Sequence, residues 1–236
     1  MVLEFDGTDF YGWQRQGNKR TVQGEIENAL SKIIDGDFKV IGCCRTDRGV
    51  HALNYVCNVK VKGKLKLDIS RLKDAINGLS SSDVFVKSVE LVNNSFHARY
   101  SAKYKLYCYR ILTYPSPLLL RYGFFPKYRI DFGKLKEIER VFIGKRDFRN
   151  ISAKTEKNGV CNVISSSWLN NEIYYDYFIL SDRFLYKMVR SIVGLMILYS
   201  IDKLTKEDII NILDSKKEFI PYVVPPQGLT LMKVFY

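Results

Sequence analysis

Residues 38–61 read FKVIGCCRTDRGVHALNYVCNVKV. Two apolar runs flank a polar loop. FKVIGCC has the β-branched character of a strand. In YVCNVKV, Tyr55, Cys57, Val59 and Val61 occupy alternate positions, as in a strand with one buried face. Around this pair the pattern extends both ways. MVLEFD predicts a first strand, and TVQGEIENALSKII predicts a helix with Val22, Ile26, Ala29 and Ile33 on one face and Thr21 as its N-cap. Downstream, DISRLKDAINGL places Ile69, Leu72, Ile76 and Leu79 at helical spacing with Gly78 near the end, and DVFVKSVELV predicts another strand. The order is β-α-β-β-α-β, the split-βαβ or ferredoxin-like pattern.

The second half repeats that order. YKLYCYRILTY predicts a strand, and FGKLKEIERVFIG a helix carrying Leu135, Ile138 and Phe142 inward. CNVISSSWL and EIYYDYFIL are two strands meeting at Asn170-Asn171, a turn-prone pair. FLYKMVRSIVGLMILYS reads as a largely buried helix, TKEDIINILDS as a further helix opened by a Thr205…Asp208 capping box, and GLTLMKVFY as the closing strand. The expectation is an α+β chain of two tandem ferredoxin-like subdomains with a groove between them. They span residues 1–100 and 101–236, with the boundary between Leu91 and Lys103. Such sheets commonly bind RNA, yet the RNP1 consensus of the RRM is absent, so base stacking on an open sheet in that style is unsupported.

At 236 residues and 47% hydrophobic, the chain has ample material for a core. Its most apolar run is broken by Lys187 and Arg190, which argues against a membrane span, and MVLEFDGTDF lacks the features of a signal peptide. A soluble, cytoplasmic protein is expected. The five cysteines show no CxxC spacing and there are only two histidines, which favours reduced thiols over a zinc site. The net charge of +12 is spread along the chain and favours a polyanionic partner, nucleic acid first; a solvated basic surface is the plainer alternative.

Three places in the chain stand out as chemistry. Asp47 lies in a loop too polar for the core, between Arg45 and Arg48. Either arginine is placed to pair with it and hold it ionised, as a nucleophile requires; an Asx-turn or surface ion pair is the structural alternative. Arg190 sits in an apolar helix and needs a carboxylate partner if buried, or else must snorkel to the surface. Tyr107 and Tyr109, with Lys105, share a strand face that serves either as sheet packing or as an aromatic platform for a base. Neither His51 nor His97 lies in a nucleophile motif, and no phosphate-binding glycine loop is present. A two-carboxylate glycosidase stays open, with no second acid identifiable.

GCCRTDRGVHALNYV resembles the GRTDxGVHA signature of the TruA-type tRNA pseudouridine synthases. FDGTDFYGWQRQ, FHARYSAKYKLYCYRI, IGKRDFRNIS, FLYKMVRSIVGLM and PPQGLTLMKVFY resemble the family's other blocks, in order. The resemblance implies that Asp47 is the catalytic aspartate, Arg190 its salt-bridge partner and Tyr107 the tyrosine that stacks on the target uracil. It implies a homodimer acting on uridines of the anticodon stem-loop, positions 38 to 40 of tRNA, with no cofactor or metal. Two departures touch RNA contact: Arg48 stands where bacterial members usually have a small residue, and GKRDF replaces a more usual GxHDF. Arg15, Arg45, Arg48 and Arg99 are then candidates for phosphate contact, with Trp13 and Lys105 beside the RNA. Two rival readings remain: a non-catalytic RNA-binding or RNA-chaperone protein, and a nuclease or glycosidase acting on nucleic acid.

Overall fold

The computed structural model of the protein describes residues 1–154 and 157–236. It is mixed α/β, mostly antiparallel, with five α-helices among the described residues. By its contacts the chain divides into two units, Met1–Lys103 with Thr230–Tyr236, and Tyr104–Leu229.

The first unit runs β1 (Val2–Phe5), α1 (Val22–Ile33), β2 (Ile34–Asp35), β3 (Phe38–Gly42), β4 (His51–Val61), β5 (Lys64–Leu65), α2 (Ile69–Leu79) and β6 (Val84–Ser88). β1 lies antiparallel between β4 and β6, and β3 lies antiparallel to β4, giving the order β6-β1-β4-β3. The predicted succession is present, with a small β2–β5 ribbon added. Thr21 caps α1, its hydroxyl accepting from Gly24 N at 3.2 Å, and all four predicted inward residues are buried. In α2 Leu72 and Ile76 are buried; of the other two positions predicted on that face, Ile69 is half-buried and Leu79, the last residue of the helix, is 39% exposed. β3 pairs with the far half of β4, Phe38 opposite Val61 and Gly42 opposite Cys57. The near end of β4 is taken by β11 (Leu229–Phe235), parallel, with Thr230 opposite His51 and Leu231 opposite Ala52. The start of β4, where the Asp47 loop ends, is therefore anchored by the end of the chain.

The second unit runs β7 (Tyr104–Leu112), α3 (Phe132–Ile138), β8 (Gly144–Asp147), β9 (Val160–Asn170), β10 (Tyr174–Ser181), α4 (Met188–Ser200) and α5 (Lys206–Leu213). β10 lies antiparallel between β7 and β9, and β8 edges β9. α3 is shorter than predicted and passes into a 3₁₀ turn over Glu139–Phe142. The buried Glu139 accounts for this: its carboxylate accepts from Trp168 N at 2.6 Å and its carbonyl from the Ser166 hydroxyl, tying it to β9. α4 is buried along most of its length, and α5 carries the predicted Thr205–Asp208 capping box. Among the described residues no helix is long and apolar enough to cross a membrane.

Candidate active site

The loop from Cys43 to Val50 joins β3 to β4 and carries Asp47 half-buried. Its shape is set by a second loop, residues 6–13. Trp13 N donates to Thr46 O at 3.3 Å, and Gly49 N donates to Phe10 O at 3.3 Å. Within the loop, Val50 N closes a turn onto Asp47 O at 3.2 Å. Two close approaches require glycine. Gly12, at φ +82°, would place a Cβ 2.2 Å from Thr46 O, and Gly7 would place one 2.0 Å from Val50 O. The two loops thus fit backbone to backbone, and Asp47 lies in a segment held on both sides.

Below the loop the buried His51 begins β4, its Nδ1 accepting from Gly7 N at 3.0 Å and lying 3.1 Å from Asp6 Oδ1. Trp13 is 2% exposed and stacks on Tyr55, centroids 4.2 Å apart. This corrects the placement of Trp13 beside RNA: it is a core residue that supports the loop. Sequence proximity to Arg15 suggested a surface role, whereas the buried Tyr55 ring captures the indole.

The cations around the loop are disposed unequally. Arg45 and Arg48 are exposed, and among the described residues neither forms an ion pair. The expectation that one of them neutralises Asp47 is therefore not met. Arg48 instead stands over the ring of Tyr11, 4.4 Å from its centroid, and Lys19 lies 4.8 Å from the same ring. Arg15 is exposed but bonded to Glu27 at 2.9 Å. Arg99 is exposed, 5.7 Å from the Tyr100 ring centroid. Tyr11 and Gly12 were missed by sequence reasoning: Tyr11 gathers cations from distant positions, and Gly12 shows its role only through its close approach.

In the second unit, Tyr107 is on β7 and 7% exposed, edge-on to Phe184 with centroids 5.1 Å apart. Tyr109 is fully buried and donates its hydroxyl to Pro225 O at 2.8 Å. Burial pushes its phenol well above the usual range, opposed by the charge of Arg190. Lys105, offered as an RNA contact, is buried at 8% exposure. Arg190 lies in the first turn of α4 and is buried, the first of the two alternatives its apolar setting left open; its Nε donates to Val224 O at 2.7 Å while Val224 N donates back to Arg190 O at 3.4 Å. One turn on, Gly194 admits residue 222: a Cβ there would stand 1.8 Å from Tyr222 O. The guanidinium is thus held by the 222–224 segment.

Exposed arginines flanking a backbone-fixed loop favour an anionic partner. The chain matches the tRNA pseudouridine synthase family over residues 1–101 and 139–236. It is 42% identical to tRNA pseudouridine synthase A of Aquifex aeolicus, over 99% of this chain and 97% of that protein. With the protein of the same description from Dictyoglomus thermophilum it shares 40% identity, over 100% of this chain and 98% of the other. With that from Thermoanaerobacter sp. it shares 35%, again over 100% and 98%. The chain belongs to the tRNA pseudouridine synthase family and is an isomerase.

Proposed function

We propose that this enzyme isomerises uridine to pseudouridine in the anticodon stem-loop of tRNA, at positions 38 to 40, with Asp47 as the catalytic carboxylate. The observation that carries the reading is the construction of the Asp47 loop, fitted backbone to backbone against residues 6–13 through Gly7 and Gly12. A surface Asx-turn has no need of such a fit; a reacting group has, because small displacements of a reacting group are costly. The order β6-β1-β4-β3 supports a ferredoxin-like reading of the first unit, and we extend it to the second.

The reaction breaks the bond between N1 and the ribose, turns the base, and joins C5 to the ribose. The proton lost from C5 is balanced by one gained at N1, so the conversion is redox-neutral and consumes no water. Asp47 attacks the uracil ring or the anomeric carbon, or promotes a glycal. Arg190 serves as its counter-charge, a role supported by a guanidinium whose Nε is fixed on Val224 O. Tyr107 stacks on the base, which must leave its helix at a cost of a few kcal/mol. We read the enzyme as a cytoplasmic homodimer.

The test is tritium release from unmodified tRNA labelled at C5 of uracil, by wild type, Asp47→Asn and Arg190→Lys. The expected result is release by wild type, none by Asp47→Asn and much slower release by Arg190→Lys, with RNA length unchanged. Release by Asp47→Asn at the wild-type rate overturns Asp47's role. A shortened RNA or a freed base would point to a nuclease or glycosidase. Mapping the product to uridines outside the anticodon stem-loop overturns the assignment of position.

A further inference from the structure

Four basic side chains of residues 15–20 and 45–48 fall into two groups. Arg20 is committed, donating to both oxygens of Asp83 at 2.7 and 2.8 Å, and Arg15 donates to Glu27 at 2.9 Å. Arg48 and Lys19 have no carboxylate partner among the described residues; what they share is the ring of Tyr11. That ring is well placed to hold them. Tyr11 N donates to Arg20 O at 2.9 Å and Tyr11 O accepts from Gln16 Nε2 at 3.1 Å, so its backbone is fixed on both sides. The next residue is Gly12, which abuts Thr46 O and the Asp47 carbonyl. Arg48 in turn follows Asp47 directly. The cations on Tyr11 are therefore tied to the reacting loop from both directions.

We infer that Tyr11 is a positioning residue that holds Arg48, with Lys19 beside it, as the receptor for a phosphodiester group of the RNA bound at the Asp47 loop. This rests on the reading of Asp47 given above. An arginine on an aromatic ring keeps the N–H donors at the edge of its plane for an oxyanion, and being pre-ordered it loses less freedom on binding. Two cations drawn to one ring with no carboxylate between them also repel each other, and an incoming phosphate removes that repulsion. Arg15 and Arg20, already bonded to carboxylates, lack this driving force.

Binding of unmodified tRNA is measured across about 50 to 200 mM salt for wild type, Arg48→Ala, Tyr11→Leu, Tyr11→Phe and Lys32→Ala, with tritium release by the same preparations. Arg48→Ala is expected to weaken binding about tenfold at low salt and to flatten the slope of log K against log salt by about 0.7 to 0.9, one phosphate contact. Tyr11→Leu weakens binding in the same direction, and Tyr11→Phe, which keeps the ring, restores it. Lys32, exposed at the end of α1, controls for net charge, and its removal leaves the slope unchanged. A wild-type slope in Arg48→Ala overturns the inference, as does an equal flattening in Lys32→Ala or a Tyr11→Phe no better than Tyr11→Leu. Because Arg48 is exposed, its variant tests the receptor even if Tyr11→Leu folds poorly. Should wild type show the Arg48-dependent slope but release no tritium, the catalytic reading fails and the phosphate receptor stands. Should it release tritium with no Arg48 dependence, the reverse holds.

Discussion

The indole of Trp13 lies against the phenol of Tyr55, centroids 4.2 Å apart and planes inclined by 26°. Both residues reach the backbone leading to Asp47: Trp13 N donates to Thr46 O, and the Tyr55 hydroxyl donates to Cys44 O. The stack closes over Gly42, where a Cβ would stand 2.1 Å from the Tyr55 oxygen and 2.5 Å from Trp13 Nε1. A buried aromatic pair therefore sets the height of the loop that carries Asp47.

Gly42→Ala tests this coupling. The added methyl pushes the pair apart, and overpacking of this kind costs about 1 to 3 kcal/mol. Because the pair bonds the backbone at residues 44 and 46, the shift is passed to Asp47, and a misplacement of about 1 Å can cost on the order of 100-fold in rate. The expectation is a modest loss in urea midpoint and a larger fall in kcat/KM, measured at a temperature where the variant is fully folded. Wild-type kcat/KM in a destabilised Gly42→Ala would show that the stack moves without the loop.

Local rules found the elements whose causes are local. The Thr21 cap, the inward face of α1 and the Thr205–Asp208 capping box all rest on residues three or four apart, and each is present. Long-range bonds defeated the same rules elsewhere. α3 stops early because Glu139 is drawn to Trp168, 29 residues on, and β8 was missed because GKRD becomes a strand only by pairing with Val160–Val163. The site divides in the same way. Asp47 and Arg190 drew notice from their settings and Tyr107 from the resemblance, whereas Trp13 was misassigned and Tyr11 overlooked because their partners, Tyr55 and Arg48, lie about forty residues away.

Thiol reactivity should separate one cysteine from the rest. Cys43, Cys57, Cys108 and Cys161 are buried, and only Cys44 is partly exposed. Burial pushes the Cys57 thiol up to about 12, and burial together with the Asp176 charge pushes Cys108 up as well, so neither offers thiolate near neutrality. An aromatic disulfide reagent at about pH 8 is expected to label one thiol quickly and all five only in denaturant, with the fast phase lost in Cys44→Ser. Two or more fast thiols in the native protein would contradict the burial of the others.

The Arg20–Asp83 pair fastens the Tyr11 segment to the turn before β6, reinforced by Asp6 N donating to Asp83 O at 3.0 Å and by Arg20 lying 4.1 Å from the Phe10 ring centroid. Burial alone would raise the Asp83 carboxyl, but the bonds from Arg20 and Ser81 more than offset it and hold the group below the usual carboxylate range. A carboxyl depressed in the folded state stabilises fully above its unfolded pKa, about 3.9, and that contribution is lost as pH falls through the folded value. With side-chain exposures of 39% for Arg20 and 20% for Asp83, screening limits the pair to roughly 0.5 to 1 kcal/mol. Asp83→Asn is therefore expected to be less stable than wild type by that amount at pH 7 in urea melts. The gap should hold down to about pH 5 and close toward pH 3, as the wild-type carboxylate takes up its proton. High salt at pH 7 should narrow it too, since a half-exposed pair is screened. A gap independent of pH would mean that Asp83 acts through its neutral hydrogen bonds alone. The charge of Arg20 would then have no part in holding Tyr11 against the Asp47 loop.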